Sequence, residues 1–264
     1  MAKRVQSPSS IKVYKQCPRK YYYQYIRKLE TLPNIHTVRG NVAHEVLEHF
    51  FDVDDNFLES SDVEQQLKLR TQNLLVEKWQ EYQPEFAILN LSKDQVFLYF
   101  DETMMMLINW VENFIKKARA LNQDFKTSFK KLTPLREQEF ISLNHYVKGF
   151  IDAIEEIEGE IRVMDYKTSS SFDVSEHKLQ LAIYSLLYQE KHNRMPDKAG
   201  VYYLKGGEVF IDVDEKLLEM AKKEIELIHQ NTTSDKMDDY PKHITHLCKW
   251  STGQCDFYDV CKNE

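Results

Sequence analysis

The chain has 264 residues, of which 42% are hydrophobic and 29% are charged, and its formal net charge at pH 7 is −7. This length is enough for one large domain, and the low glycine and proline content, seven of each, suits long regular elements with few loops. No apolar run reaches membrane-spanning length and no signal-peptide core is visible, which excludes a membrane protein, so we expect a cytoplasmic protein without a membrane partner.

Positive charge is concentrated at the start of this acidic chain. Residues 1–30 contain eight lysines or arginines and a single acid, Glu30, so this segment carries +7 and the remainder −14. The overall charge disfavours nucleic-acid binding, but a local basic surface can hold phosphates. The tyrosines between Tyr21 and Tyr25 either stack on the bases of a single strand or pack in the core, and we favour the core. For the basic residues, phosphate contact and simple solvation both stay open.

A helix is predicted to begin near Arg39 and to carry two histidines, His44 and His49. They are five residues apart, about 140° around a helix, whereas the helical zinc-protease motif places its histidines four residues apart. This spacing excludes a zinc-protease site. A histidine such as His44, taken alone, is typical of a structural role, so its candidacy as a metal ligand depends on residues further along the chain.

Two long helices are predicted over residues 62–82 and 93–121, after an acidic loop or helix break at residues 52–64. The second helix holds a methionine-rich apolar patch, for which core packing is the simplest interpretation. We expect these helices to form an insertion between the His44 helix and a β-sheet.

Alternating apolar residues predict five strands in the second half of the chain. The predicted strands are Leu135–Leu143, Val147–Ile154, Ile161–Tyr166, Ala199–Leu204 and Glu208–Val213, and a helix follows from about Asp214 to Gln230. Glu137 and Glu139 share one face of the first strand. Glu139 is a candidate to approach a metal site, although exposure to solvent or a contact with a lysine or arginine is favoured.

Carboxylates occupy positions in the second and third strands where apolar residues are expected. Asp152 interrupts the second strand, and Asp165 closes the third with Lys167 two residues later. Strand alternation puts Asp165 and Lys167 on the same face. Oxygen ligands suit Mg²⁺ or Mn²⁺, and a neighbouring lysine can hold a phosphate oxygen or an attacking water. An isolated Asp-x-Lys pair is more often a surface salt bridge, so further motifs must support the site.

Gln180 and Tyr184 provide one such motif, because they are four residues apart and share one face of the next predicted helix. The motifs in chain order are His44, G-x-x-D ending at Asp152, D-x-K from Asp165 to Lys167, and Q-x-x-x-Y from Gln180 to Tyr184. This order, spread over residues 7–261, resembles the RecB-like branch of the PD-(D/E)XK nuclease superfamily. The resemblance implies an α/β fold: a restriction-endonuclease-like core with a small mixed sheet flanked by helices, a helical insertion and a C-terminal cysteine-rich region.

The resemblance also implies roles for these residues. The implied ligands of one or two Mg²⁺ or Mn²⁺ ions are His44, Asp152, Asp165 and the carbonyl of Tyr166. The implied catalytic set is Asp152, Asp165, Lys167, Gln180 and Tyr184. In it, Lys167 positions or helps to deprotonate the attacking water and stabilises the transition state, while Gln180 and Tyr184 orient Lys167 or the DNA backbone.

The four cysteines are Cys17 and, within the last seventeen residues, Cys248, Cys255 and Cys261. Disulfides are disfavoured inside cells, so a metal centre is the sharper hypothesis. Four thiolates suit either tetrahedral zinc or a 4Fe–4S cluster, and the spacing alone does not choose between them or exclude free thiols.

The resemblance favours a 4Fe–4S cluster over zinc. RecB-like nucleases with one cysteine before the core and three after it carry such a cluster, and the five residues between Cys255 and Cys261 match their spacing. Six residues separate Cys248 from Cys255, where the family usually has two. Cys248 is therefore the least secure ligand, with His243 or His246 as substitutes.

We expect a single nuclease domain over residues 1–264. Its predicted segments are N-terminal helices with Cys17 and His44 (1–51), a helical insertion (52–128), the nuclease core (129–231) and the iron–sulfur segment (240–264). The resemblance implies a metal-dependent exonuclease of DNA repair, recombination or CRISPR-type processing that is cytoplasmic and nucleoid-associated. Its expected substrate is DNA that is single-stranded or has a free end, and a helicase or another DNA-processing protein is an expected partner. The alternative is a catalytically inactive DNA-binding or scaffold module.

Overall fold

A computed structural model describes residues 3–169, 171–251 and 253–264. The α-helices in it are α1 (Pro8–Gln16), α2 (Pro18–Tyr21), α3 (Ile35–Phe50), α4 (Asp55–Leu58), α5 (Val63–Glu81), α6 (Gln83–Ile88), α7 (Lys93–Ala120), α8 (Phe125–Leu132), α9 (Lys178–His192), α10 (Glu215–Asn231) and α11 (Tyr258–Asn263). Within this part of the chain, no helix is both long enough and apolar enough to cross a membrane.

Five strands form the main sheet and a short two-stranded ribbon lies near the C-terminus. The strands are β1 (Leu135–Ser142), β2 (Val147–Ile157), β3 (Glu160–Lys167), β4 (Lys198–Tyr203), β5 (Gly207–Asp212), β6 (Lys249–Trp250) and β7 (Gly253–Gln254). The main sheet has the order β1-β2-β3-β4-β5; β3 and β4 are parallel, and its other neighbours are antiparallel. The crossover between β3 and β4 contains α9, as a parallel connection requires.

The predicted α/β class is confirmed, because the sheet is mixed and helices cover both of its faces. One face packs with α3, α5 and α7 around Phe50, Trp110 and Tyr166, and the other packs with α9 and α10 around Ile151 and Leu187. Burying two apolar layers against a central sheet is the usual solution for a fold of this kind.

The predicted strands and long helices are present, with small differences at their ends. The second strand continues to Ile157, three residues beyond its predicted end, because Glu155 and Glu156 stay in the antiparallel ladder. The turn that follows places both Glu158 (φ 54°) and Gly159 (φ 84°) in the left-handed region, which a two-residue hairpin turn demands. The acidic segment after α3 contains one short helix, α4, which begins after the capping side chain of Asp54.

The N-terminal tyrosines pack in a third core, as favoured from the sequence. Tyr21, Tyr22 and Tyr23 are buried against Tyr240 and Phe257, which join the first helices to the C-terminal segment. Buried aromatic rings contribute large apolar contact area, so this cluster fixes the two ends of the chain together.

Several of the basic residues near these tyrosines make contacts within the protein. Arg19 is buried and donates from its Nε to the Tyr240 carbonyl at 2.8 Å. The pairs Lys15–Glu224, Lys20–Asp256 and Arg27–Glu264 have nitrogen–oxygen distances of 2.8, 3.7 and 3.6 Å. Part of the N-terminal positive charge is therefore used in ion pairs within the protein.

Candidate metal centre and catalytic residues

Three side chains from separate elements meet at one end of the sheet. His44 comes from α3, Glu137 from β1 and Asp152 from β2, and one ligand atom from each lies within 4.8 Å of the others. The His44 Nδ1 is 3.5 Å from an Asp152 carboxylate oxygen. One imidazole and two carboxylates form a donor set that suits a divalent cation such as Mg²⁺ or Mn²⁺.

Glu137 was not predicted as a ligand from the sequence, in which Glu139, two residues later, was the candidate. In the structure, Glu139 lies on the exposed part of β1 and its carboxylate is 3.2 Å from the Lys148 ammonium. The favoured alternative for Glu139, a contact with a basic side chain, is the one that the structure shows. The signal that identifies Glu137 is the pairing of β1 with β2, which places Glu137 opposite Asp152 and Glu139 opposite Phe150.

The alternation of side chains along β2 changes phase at Asp152. Ile151 and Ile154, three residues apart, pack in the same core with α9, whereas Ala153 between them packs in the core with α3. Opposite Asp152 on β1, Glu137 has a φ of 47°, which is uncommon for a residue with a side chain and is often found at functional sites. This local distortion lets carboxylates from two neighbouring strands meet at His44.

Asp165, Lys167, Gln180 and Tyr184 form a connected set beside this group. The Lys167 Nζ is 2.5 Å from Asp165 Oδ2, as expected for residues on the same face of a strand. The Gln180 Nε2 donates to Asp165 Oδ1 at 2.7 Å and to the Tyr184 hydroxyl at 2.8 Å. Asp165 is almost completely buried, so these polar partners are needed to stabilise its charge.

The backbone of Tyr166 connects the two groups. Its amide donates to Asp152 Oδ2 at 2.7 Å, and its carbonyl accepts a hydrogen bond from His44 Nε2 at 2.9 Å. The Tyr166 carbonyl thus lies beside His44, where the sequence analysis expected a carbonyl ligand. Asp165, on the neighbouring position of β3, is held by Lys167 and Gln180 rather than within the His44 group.

Crowding of carboxylates changes the proton affinities of the site. Burial and the Asp152 carboxylate raise the pKa of Glu137 to about 7. Burial would lower the pKa of His44, but the Asp152 carboxylate outweighs that effect and raises it to about 9. Burial also raises the pKa of Asp165, and the Lys167 ammonium opposes this rise. These protons occupy the same atoms that a cation requires, so cation binding releases protons.

Arg39, on α3, anchors the segment that follows Lys167. Its buried guanidinium is 2.8 Å from the Glu102 carboxylate on α7 and its other terminal nitrogen donates to the Thr168 carbonyl at 3.5 Å. Removing the Glu102 carboxylate would leave the buried Arg39 charge without its ion-pair partner, which is costly. Arg39 therefore fixes the end of β3 relative to α3.

The four cysteines converge in a second place, far from the carboxylates in the sequence. A cavity of about 340 Å³ is lined by Cys17, Cys248, Cys255 and Cys261. His243 also borders it: its backbone nitrogen donates to Cys17 Sγ at 3.4 Å, and its Nδ1 is 2.8 Å from the Gln16 carbonyl. The irregular spacing before Cys255 therefore does not keep Cys248 away from the other three cysteines.

A single zinc ion requires the sulfurs of its cysteine ligands to lie close together. Zinc–sulfur bonds of ~2.3 Å bring the sulfurs of a tetrahedral site within ~3.8 Å of one another. Among the residues that the structure describes, no three cysteine sulfurs lie within 4.8 Å of one another. Four thiolates around one cavity are a donor set for an iron–sulfur cluster, and for a zinc ion when the sulfurs lie closer together.

Comparison with known proteins gives the family of the chain. It is similar to a crystallised protein of Eubacterium rectale with a provisional description as an exonuclease, at 12% identity and a TM-score of 0.49, over 98% of this chain and 93% of that one. No curated protein matches the chain. The profile of the PD-(D/E)XK nuclease superfamily matches residues 6–262. The chain therefore belongs to the PD-(D/E)XK nuclease superfamily.

Proposed function

We propose that this nuclease is a Mg²⁺- or Mn²⁺-dependent deoxyribonuclease of the RecB-like branch that hydrolyses phosphodiester bonds at DNA ends. The observation that carries the proposal is the meeting of His44, Glu137 and Asp152, next to the Asp165–Lys167 pair. Metal ligands beside an ammonium group provide both a cation site and a positive charge for a phosphate.

The proposed cation ligands are His44, Asp152, Asp165 and the Tyr166 carbonyl, with Glu137 added from the structure. A bound divalent cation lowers the pKa of its water and offsets negative charge on the phosphate. The Tyr166 amide holds Asp152 by one oxygen and leaves the other free to act as a ligand. In Asp165, Gln180 holds one carboxylate oxygen and the Lys167 ammonium lies against the other, so a cation would share that second oxygen with Lys167.

Lys167 is the proposed positioning group for the attacking water. Its ammonium lies against the Asp165 carboxylate, which orients it at the edge of the site, and about a quarter of its side chain is exposed. An ammonium in this place can hold a water or a phosphate oxygen and can stabilise the charge that develops during hydrolysis. Gln180 and Tyr184 keep Asp165, and through it Lys167, in this orientation.

We also propose that the four cysteines hold a 4Fe–4S cluster with a structural role. Hydrolysis transfers no electrons, so the carboxylate site needs no redox partner. A cluster that joins Cys17 to the last seventeen residues closes a long loop and strongly restricts the unfolded chain. It would stabilise the neighbouring tyrosine cluster, which packs the same two ends of the chain together.

The proposed setting is DNA repair, recombination or CRISPR-type DNA processing, next to a helicase or another DNA-processing protein. The test is an assay on linear DNA labelled at its 5′ or 3′ end, with Mg²⁺, Mn²⁺ or EDTA. Release of label in short products with either cation, and none with EDTA, is the expected result. Closed circular DNA, followed by gel electrophoresis, should stay intact. DNA binding without cleavage under every condition would instead identify an inactive binding module.

A further inference from the structure

An exposed apolar patch lies on the β1–β2 hairpin, beside the candidate metal ligands His44, Glu137 and Asp152. The exposed fractions are 54% for Ile141, 74% for Leu143 and 49% for Phe150. An exposed group of large apolar side chains beside a polar site often marks an interaction surface. Lys148 lies beside Ile141 and Phe150. We refer to Ile141, Lys148 and Phe150 together as the hairpin platform.

The direction of these side chains follows from the residues between them. The Cα of Gly149 faces Tyr184 and Leu187 of α9, and Ile151 packs in that same core. Alternation therefore turns Lys148, Phe150 and Asp152 toward the opposite face, where Asp152 meets His44. Phe150 and Asp152 are two residues apart, or about 6.8 Å along the strand.

The platform combines an aromatic ring with positive charge. The Lys148 ammonium is 5.6 Å from the centre of the Phe150 ring and 3.2 Å from the Glu139 carboxylate. Both side chains of the Lys148–Glu139 pair are more than 40% exposed, at 43% and 41%, so this ion pair is weak. Lys148 is consequently free to exchange Glu139 for a phosphate.

We propose that the Phe150 ring stacks on the base of the nucleotide next to the bound phosphate, and that Lys148 holds the neighbouring phosphate. This inference rests on the proposed nuclease function and specifies its substrate. A protein ring reaches the flat face of a base only when that base is not stacked within a duplex. The platform therefore selects a single-stranded nucleotide at the cleaved bond.

Charge and continuity with the site favour a nucleic-acid strand as the occupant. Lys148 and Phe150 lie on the same strand and the same face as Asp152, and Ile141 pairs with Lys148 on β1. A nucleic-acid strand bound at His44, Glu137 and Asp152 therefore passes over the hairpin platform. An apolar protein partner would have to bury Lys148 and Glu139, which is unfavourable without matching charges. A phosphate next to the stacked base satisfies Lys148 directly.

The experiment measures binding of labelled oligonucleotides in EDTA, where cleavage does not interfere. The wild-type protein, Phe150→Ala, Phe150→Leu and Phe150→Trp are titrated with a single strand and with a blunt duplex of the same sequence. We expect Phe150→Ala and Phe150→Leu to weaken single-strand binding about tenfold or more, and Phe150→Trp to retain it. Duplex binding stays unchanged in all three, and Leu227→Ala on α10, also exposed at 52%, changes neither affinity.

Equal affinities of all variants for the single strand would overturn the inference. Full retention by Phe150→Leu would also overturn it, because that result would assign the surface a merely apolar role. If these results accompany cleavage by the wild-type protein, the nuclease function stands and only the stacking role fails. A wild-type protein that neither binds nor cleaves DNA would overturn both.

Discussion

The ring of Tyr184 lies against the backbone of Gly149, so closely that a Cβ at position 149 would be 2.8 Å from a ring carbon. The Tyr184 hydroxyl accepts a hydrogen bond from Gln180, whose amide nitrogen also donates to Asp165. One aromatic ring thus connects the glycine of the G-x-x-D motif to the carboxylate of the D-x-K motif. This contact explains why the motif on β2 needs a residue without a side chain.

Gly149→Ala is expected to lower the free energy of unfolding by about 1–3 kcal/mol, because the methyl group must displace the buried Tyr184 ring. The displaced ring should also disturb Gln180 and lower kcat. Urea unfolding and a cleavage assay check both effects. Gly40→Ala on α3 is the control: the nearest atom to its Cβ, Thr168 Oγ1, is 4.0 Å away, so stability should stay equal or rise. Equal losses from both substitutions would contradict this explanation.

Asp165→Asn and Lys167→Ala are each expected to lower kcat at least ~100-fold, because both groups act on the transition state. Affinity for DNA should change much less, since most of the binding energy comes from contacts with the rest of the strand. Single-turnover cleavage and equilibrium binding separate the two effects. Lys222→Ala removes an exposed lysine that pairs with Glu219 on α10, and it should leave both unchanged. Full activity of either site variant would remove these residues from the mechanism.

His44 and His49 provide a matched pair on one helix. His44→Ala should raise the Mn²⁺ concentration needed for half-maximal cleavage and lower the maximal rate, because it removes a ligand beside Asp152. His49 is exposed and its Nδ1 is 2.9 Å from Asp52, so His49→Ala should change neither value. Metal titrations of the cleavage rate measure the difference. The same loss in both variants would indicate that the helix, rather than the ligand, is affected.

The raised pKa values of Glu137 and His44 predict how the affinity of the site for a cation depends on pH. The pKa of Glu137 is raised to about 7 and that of His44 to about 9, so both groups hold protons at neutral pH that a cation must displace. Mn²⁺ affinity should therefore rise between pH 6 and pH 9, with release of protons. In EDTA the same raised values favour folding at low pH, and this contribution is lost as the pH rises through each folded-state pKa.

Calorimetric titration of Mn²⁺ at several pH values tests this dependence. Glu137→Gln should lower the affinity and remove the part of the pH dependence near neutrality, while leaving the part that belongs to His44. Glu139→Gln, on the same strand but paired with Lys148, should leave the profile unchanged. A cation affinity that is independent of pH would show that neither group gives up a proton to the metal.

Sequence periodicity was sufficient where each residue keeps the regular geometry of its element. Asp165 and Lys167 meet because strand alternation puts them on one face, and Gln180 and Tyr184 meet because four residues complete about one helical turn. The end of β2 was harder to predict, because Glu155 and Glu156 are residue types common in turns but pair with β3 as part of the strand.

Glu137 was not predicted, because its role depends on which residue of β2 it faces, and alternation along β1 alone does not give that pairing. Alternation puts Glu137 and Glu139 on the same face of β1, whereas the pairing with β2 places Glu139 opposite Phe150 and Glu137 opposite Asp152. The approach of His44 to Asp152 joins residues more than a hundred positions apart, and pattern alone carries no distance of that kind. The resemblance to a nuclease family supplied that information.

Cys17→Ala tests the structural role of the proposed cluster. The substitution removes the only cysteine ligand outside the C-terminal segment and should lower stability strongly, because the N-terminal helices lose their covalent link to that segment. Any loss of activity should follow the unfolding and return when the protein is assayed well below its Tm. Retained stability together with lost activity would instead assign the cysteines a role in catalysis.

Cys248→Ala decides the identity of the fourth ligand. Protein purified without oxygen should be brown and contain iron and acid-labile sulfide, and this variant should lose much of both, because Cys248 lines the same cavity as Cys17, Cys255 and Cys261. His243 borders the cavity as well, but its Nδ1 is engaged with the Gln16 carbonyl, so His243→Ala should keep the colour. His246→Ala is expected to keep the colour too.

Full iron content in Cys248→Ala, lost only when a histidine is also removed, would assign the fourth position to that histidine. Colourless wild-type protein that holds one zinc ion and no iron would replace the proposed cluster by a zinc site.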